Sequence, residues 1–464
     1  MSYRESLTLA LQHSLAHIEN LERTPVGPTA AAETLRARLA RPLADDGMPP
    51  EQVLTELVED VSGGIMGSAG GRFFAWVVGG ALPAALGADW LAAAWDQNAA
   101  LHVSAPAAAV VEEIAGAWLK QILGLPAGAS FAFVTGCQMA HTVCLAAARN
   151  AMLGRVDWDV EQRGLFGAPR VRILTSSERH GTVKRAVRLL GMGLDQMHDL
   201  PADDQGRLQP GMLERALESD PGTPAIVILQ AGDLNIGAYD PFAELIPIAH
   251  RYRAWVHVDG AFGLWAAASP RYRHLLQGAG DADSWATDGH KWLNTPFDSG
   301  FAFVADPEPH RASMSYTASY ISRSGDARDP IDWNPEWSRR ARGFSAYAAI
   351  RQLGPNGIAR LVERCCDVAR RLVRGIGALD GVEVLWEPVI NQGLVRFLGA
   401  SPEDHDRRTD EAIAAIQASG EVFFGGTTWR GQRAMRVSVC NWQTTDADVE
   451  RSIAAVKAAI RGVA

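Results

Sequence analysis

Short apolar runs alternate with longer helix-period segments through the middle of the chain. Ser130–Val134, Val171–Leu174, Ala225–Leu229, Ala254–Val258 and Gly300–Val304 are largely apolar and bounded by Gly, Pro or Asp. Runs of this length predict strands buried on both faces. The helical patterns between them predict right-handed crossovers, and so a mostly parallel sheet. Ahead of this region, residues 1 to about 60 read as helices broken by Pro- and Gly-containing loops at 25–28 and 42–50, an arm with too little apolar surface to fold alone. Beyond it, helical patterns over Trp337–Leu353 and Gly357–Leu379 lead into a smaller mixed region. The expected division is an N-terminal helical arm (1–60), a large α/β domain (61–335) and a small C-terminal α+β domain (336–464).

Composition narrows the partners. A chain of 464 residues, 47% hydrophobic and 21% charged, can bury a large core spread over more than one domain. A net charge of -9 and a pI near 5.8 leave no basic footprint, so no nucleic-acid partner is expected and a small molecule is. Arg4, Glu5, His13, His17 and Glu19 interrupt the first apolar positions, unlike a signal peptide. Pro83 and Asp89 interrupt the run Ala81–Ala94, which falls short of the roughly 20 apolar residues that span a bilayer. The expectation is a cytoplasmic protein with no membrane partner. Five cysteines (137, 144, 365, 366 and 440) show no paired metal-ligand spacing and are odd in number, so free thiols and no metal site are expected.

The candidate chemistry gathers where strands end, the place where open α/β sheets bind ligands. Asp259 closes the run Ala254–Val258, and a buried carboxylate there requires a partner. Lys291 follows in the run Ser284–Leu293, read as a short polar turn. This pair suits a cofactor with a pyridine nitrogen at one end and an aldehyde at the other, namely pyridoxal phosphate. The lysine amine bonds the aldehyde, and the carboxylate keeps the ring nitrogen protonated. Ala261 is small enough to let a ring lie flat.

Three further segments end at the same edge. Phe131–Val134 runs into Thr135-Gly136-Cys137-Gln138, a turn and helix start whose amides and dipole favour a phosphate at Gly136, Cys137 and Gln138. His180 follows another strand and can stack on a flat ring, although a lone loop histidine is more often solvated or capping. Asn235, in the turn after Ala225–Leu229, can reach the cofactor or serve ordinary turn chemistry. His290 can contact the phosphate or act as acid or base.

The set Phe73-Phe74-Ala75, Pro106 with Glu112, Thr135-Gly136, His180-Gly181, His257-Val258-Asp259-Gly260-Ala261, Asp288-Gly289-His290-Lys291-Trp292 and Ser338-Arg339-Arg340-Ala341-Arg342 resembles the group II pyridoxal-phosphate-dependent amino-acid decarboxylases, which include the aromatic amino-acid and glutamate enzymes. The likeness runs in order over about residues 60 to 450. It implies an aspartate-aminotransferase-type fold (fold type I) and a homodimer with active sites at the interface. It also implies Lys291 as the Schiff-base lysine, Asp259 on the pyridine nitrogen, His180 over the ring and a substrate pocket near Phe74, Trp76 and His102, all in the decarboxylation of an amino acid, and Trp76, Trp95 and Phe74 suggest that this pocket is apolar or aromatic.

The chain departs from the family in three places. The family's serine-bearing phosphate loop reads Thr135-Gly136-Cys137-Gln138-Met139, and Gly70-Gly71 replaces a His-Pro pair. Where the aromatic-acid enzymes carry Asp-Tyr in a mobile loop, the ungapped match is Asp329-Pro330, so the proton donor there is missing unless Tyr316 or Tyr320 serves. That departure motivates an alternative, an oxygen-consuming decarboxylating deaminase that releases an aldehyde. An aminotransferase or carbon–carbon lyase is a third reading. A non-catalytic binding protein is the reading from another class, opposed by the presence of Lys291, Asp259 and His180 together.

Overall fold

Seven strands form the main sheet of the structure, a computed structural model that describes residues 3–316 and 327–462. They are β1 (Ser130–Val134), β2 (Arg172–Ser176), β3 (Met197–Leu200), β4 (Ala225–Gln230), β5 (Trp255–Asp259), β6 (Ser284–Asp288) and β7 (Gly300–Val304), in the spatial order β1-β7-β6-β5-β4-β2-β3. Pairings from β6 through β3 are all parallel, and β7 alone runs against its neighbours. Every residue of β4 and β5 is buried, as their unbroken apolar runs require when helices cover both faces.

Two strands lie outside the runs read from the sequence. β3, at the sheet edge, exposes half of its residues and carries no apolar run to mark it. β6 occupies the first half of the run read as a polar turn, because Ser284, Thr287 and Asp288 are buried along with Trp285 and Ala286. His290 and Lys291 lie in the turn 289–293 that follows it.

The parallel direction brings the ends of β1, β2, β4, β5 and β6 to one edge. Gly300, at the start of β7, matters there. A Cβ on Gly300 would fall 2.4 Å from the Gly136 Cα, so its absence lets the turn after β1 lie directly on β7 beside β6. The helix Cys137–Gly154 then begins at that edge and packs along β6 and β7.

A second, antiparallel sheet of β8 (Val382–Trp386), β9 (Gln392–Phe397), β10 (Gly425–Trp429) and β11 (Gln432–Ser438) has the order β10-β11-β9-β8. It connects to the first through the helical stretch Gly343–Gly377, kinked at Gly354 before Pro355. The helical pattern expected from Trp337 starts later, at Gly343; the arginines at 339, 340 and 342 precede it and pair with Glu112, Asp89 and Asp298. Three helices, Tyr3–Asn20, Ala32–Leu39 and Pro50–Asp60, lie in the N-terminal region. The first buries none of its side chains, with Leu7, Leu11, Leu15 and Ile18 all exposed. All five cysteines are buried free thiols. Among the described residues, no helix is long and apolar enough to cross a membrane.

Candidate active site

Lys291 sits in the turn after β6 with its ammonium 3.2 Å from Asp288 Oδ2. Burial works against the ammonium, but the charge of Asp288, reinforced by Asp259, raises its pKa above the ordinary lysine value. The other Asp288 oxygen accepts the backbone N–H of Cys137 at 2.6 Å, tying the lysine turn to the first turn of the helix after β1. Asn294 secures the turn from behind. Its carboxamide donates to the carbonyls of Lys291, Trp292 and Cys440 and accepts the amides of Gly80 and Trp442.

Asp259 ends β5 as expected and is buried. Its Oδ1 accepts the Ala261 amide at 3.2 Å, and its Oδ2 lies 3.5 Å from His141 Nε2. Burial pushes this carboxyl up, yet His141, His180 and the Ala261 amide more than offset it and hold the group below the usual carboxylate range.

His180 precedes the helix Gly181–Leu189 and caps it, with Nδ1 accepting the Thr182 amide at 3.3 Å and lying 2.6 Å from the Thr182 hydroxyl. Capping, the ordinary use of such a histidine, is therefore part of its work. It is also close enough to Asp259, Lys291 and Arg436 to feel their charges. Burial lowers its pKa, Lys291, His141 and Arg436 add to the effect, and Asp259 opposes it.

The remaining expected residues divide. The Gln138 carboxamide is buried with no partner for either polar atom, at the N-terminal turn where an anion would be held. Cys137 points its sulfur to His141 and Asp259, at 3.4 and 3.9 Å, and burial pushes its thiol pKa well up. His290 stacks on Phe297 and accepts the Ser299 amide at 3.3 Å. Asn235 engages Thr427 of β10 through its carboxamide oxygen, so the structure ties it to the small sheet. Phe74 is a core residue, enclosed and stacked on Phe424. Trp76 is exposed against Phe73 and Phe423, and His102 donates its backbone N–H to Asp329. Tyr320 lies outside the described residues.

A family model, the pyridoxal-dependent decarboxylase conserved domain, matches residues 33–398. The chain belongs to the pyridoxal-dependent decarboxylases. An aromatic-L-amino-acid decarboxylase from Bacillus atrophaeus is 25% identical over 95% of this chain and 92% of its own length. A 4-hydroxyphenylacetaldehyde synthase from Rhodiola rosea is 25% identical over 88% and 85%. Among solved structures, that of Oryza sativa TDC with PLP and tryptamine superposes with a TM-score of 0.92 at 24% identity, covering 99% of this chain and 98% of that one. The α/β, aspartate-aminotransferase-type fold of this decarboxylase is thereby established, and pyridoxal phosphate is its cofactor.

The residues present fit that cofactor. A partly buried amine and a buried carboxylate stand at one sheet edge, and the Gln138 carboxamide is unpartnered where the phosphate is expected. The Thr295 and Ser299 hydroxyls are likewise buried without partners beside the lysine turn.

Sequence reasoning missed three groups here. Asp288 sits three residues before Lys291 and was quoted only as part of a motif. His141, four residues after Cys137, shares that residue's helix face, a spacing that could have flagged it. Arg436, in the middle of β11, is buried between Met435 and Val437, where no alternation distinguishes it.

Proposed function

We propose that this decarboxylase removes the α-carboxylate of an amino acid as carbon dioxide and releases the amine, with Lys291 as the residue bonded to the cofactor. The observation that carries the reading is the partly buried Lys291 ammonium beside Asp288, at one edge with the ionised Asp259. Bound pyridoxal phosphate supplies an aldehyde that takes up the substrate amine and a ring that accepts electrons from the α-carbon.

The chain's own residues do the rest. Lys291 is the residue that would bond the cofactor's aldehyde, and its amine, when free, would carry a proton. Asp259, acceptor-only when ionised, retains a proton on the ring nitrogen. His180 covers the ring, and the Gly136–Gln138 turn with His290 holds the phosphate. Arg436, buried on β11 with its Nε lacking a partner, is the cation for the substrate's carboxylate. An apolar or aromatic amino acid is the substrate class we favour, by analogy with the aromatic-acid relative.

A second reading is favoured by one observation. Pro330, at the position expected for a loop tyrosine, is buried in the turn Pro330–Asp332, and the next amide, of Ile331, donates to Ala100. Without a prompt proton donor, dioxygen would take two electrons from the α-carbon and leave as hydrogen peroxide, and water would then release the aldehyde and ammonia after carbon dioxide has left. Tyr316, exposed and in ring contact with Trp337, is the described tyrosine of that region available as the donor.

We also propose a homodimer, because Leu7, Leu11, Leu15 and Ile18 of Tyr3–Asn20 stay exposed among the described residues. A cytoplasmic setting suits five unpaired thiols. The test is a panel of amino acids with the loaded protein, following carbon dioxide, amine, aldehyde and dissolved oxygen together. Carbon dioxide with amine and no oxygen uptake is the expected result. Aldehyde with oxygen uptake would replace it with the second reading, and aldehyde or keto acid without carbon dioxide would overturn both.

A further inference from the structure

Behind Asp259 runs a line of buried polar groups that the proposed chemistry does not use. The Trp255 indole N–H donates to Ser284 Oγ at 2.9 Å. Ser284 Oγ lies 2.9 Å from His257 Nδ1, His257 Nε2 lies 2.9 Å from His141 Nδ1, and His141 Nε2 lies 3.5 Å from Asp259 Oδ2. Ser284, His257 and His141 have no solvent exposure. Three strand or helix positions, on β5, β6 and the helix after β1, would hold polar side chains in the core for no packing reason.

We infer that Trp255, Ser284, His257 and His141 form a one-way hydrogen-bond chain that keeps the Asp259 carboxyl ionised and aimed, which makes Ser284, His257 and His141 positioning residues for the reaction. The inference rests on the proposed role of Asp259 at the cofactor ring. The direction follows from the two ends. An indole N–H can only donate and a carboxylate can only accept. Ser284 receives the Trp255 proton, so its hydroxyl proton is free for His257 Nδ1; the competing acceptor, the Cys144 sulfur, is a weak one. With Nδ1 accepting, the His257 proton sits on Nε2 and goes to His141 Nδ1. That leaves the His141 proton on Nε2, facing Asp259.

Each donor in the line is thus polarised by the one before it, in surroundings without water. Both rings are neutral in this arrangement, and burial accordingly holds His257 near a pKa of about 3. Asp259 receives His141 on one oxygen and the Ala261 amide on the other, and two N–H donors favour its charged form against burial. The reverse direction would put the His257 proton on Nδ1 and turn an unprotonated His141 Nε2 toward the Asp259 carboxylate 3.5 Å away, with only the Cys137 thiol, 3.4 Å off and a weak donor, to satisfy that nitrogen.

Two measurements decide the matter. Nitrogen-15 spectra of histidine-labelled protein, with His257 assigned by its loss in His257→Gln, are expected to show the Nε2–H tautomer; the Nδ1–H tautomer would overturn the inference. Cofactor dissociation constants and the visible absorbance of bound cofactor are then compared across variants. His257→Leu and Ser284→Ala are expected to weaken binding by about ten-fold and shift the band, by analogy with the loss of groups that orient a metal ligand. His257→Gln, which keeps a donor toward His141, and Ser284→Thr, which keeps the hydroxyl, are expected to come within about two-fold of the parent. A role confined to packing would lower the melting temperature and leave band and affinity unchanged, and that outcome overturns the inference. Failure of the parent itself to take up coloured cofactor would sink the reading of the site, and the tautomer would still decide the direction of the chain.

Discussion

Asp288 holds Lys291 with one carboxylate oxygen and the Cys137 amide with the other, at 3.2 and 2.6 Å. One side chain therefore sets the charge of the lysine and anchors the turn proposed to face the phosphate. Asp288→Asn removes the charge that offsets burial, so the Lys291 pKa falls. The pH midpoint for cofactor capture by the cofactor-free protein should move down by about one unit or more, since the free amine is the reacting form. An unchanged midpoint would show that the ion pair does not govern this lysine.

Lys291→Ala is expected to abolish the visible absorbance of bound cofactor and to cut turnover on the order of 10⁴-fold or more. Asp259→Asn should keep part of the cofactor and lose most of the rate. If Lys291→Ala retained both colour and turnover, the assignment of the site would be wrong.

His180 caps a helix through Nδ1, a task separable from the cover over the cofactor proposed for it. Asparagine is a good N-cap, so His180→Asn should leave stability near that of the parent, while His180→Ala costs about 1 kcal/mol. Both should lose roughly a hundred-fold in turnover, a size typical of general acid–base and positioning groups. Denaturant melts and rates on the three proteins separate the tasks; full activity in His180→Asn would leave capping as the whole role.

Acid should unfold the protein in a characteristic way. Burial holds His257 and His310 near a pKa of about 3, below their ordinary 6.5, so unfolding takes up protons and stability present above pH 6.5 is lost as pH falls. Burial raises Asp233 and Asp240 to about 6, so the folded state takes up protons first and opposes that loss down to about 3.8. Below 3.8 only losses remain, with Asp259 added to the two histidines. These groups predict nearly level stability from pH 6 to 4, then a fall of about 4 kcal/mol per pH unit. Urea unfolding at pH 6.5, 5, 4 and 3.5 checks this, and a steady decline from pH 6.5 would show that the two aspartates titrate normally.

Arg436 is buried, its pKa pushed down to about 10 by burial against the pull of Asp233, and its Nε has no partner. An arginine so placed awaits an anion. Arg436→Gln should lower kcat/KM by about 10- to 100-fold, the worth of a charge-assisted hydrogen bond, while leaving cofactor affinity within about two-fold. A matching loss of cofactor would assign the guanidinium to the phosphate instead.

Asp259, His180 and the Gly136–Gln138 turn were legible in the linear chain because each closes or follows an apolar strand run, and strand ends in a parallel sheet share one edge, whereas Lys291 was legible only as a lone lysine in a polar run after Asp259. The runs of β1, β2, β4, β5 and β7 were equally legible, since burial on both faces leaves unbroken apolar stretches. Edge strand β3 and polar-rich β6 were not, because local pattern cannot show that a neighbour buries a serine, a threonine or an aspartate. The same limit hid the partners. Asp288 reaches Cys137 across 151 positions and His141 reaches His257 across 116. Asn235, suited by its turn to a cofactor contact, spends its carboxamide on Thr427, and Phe74 turns into the core against Phe424. The sequence by itself determined the residue chemistry and the strand that delivers each group. Only the tertiary structure decided which buried polar atoms meet, because a hydrogen bond in the core depends on distances of a few tenths of an ångström between segments far apart in the chain.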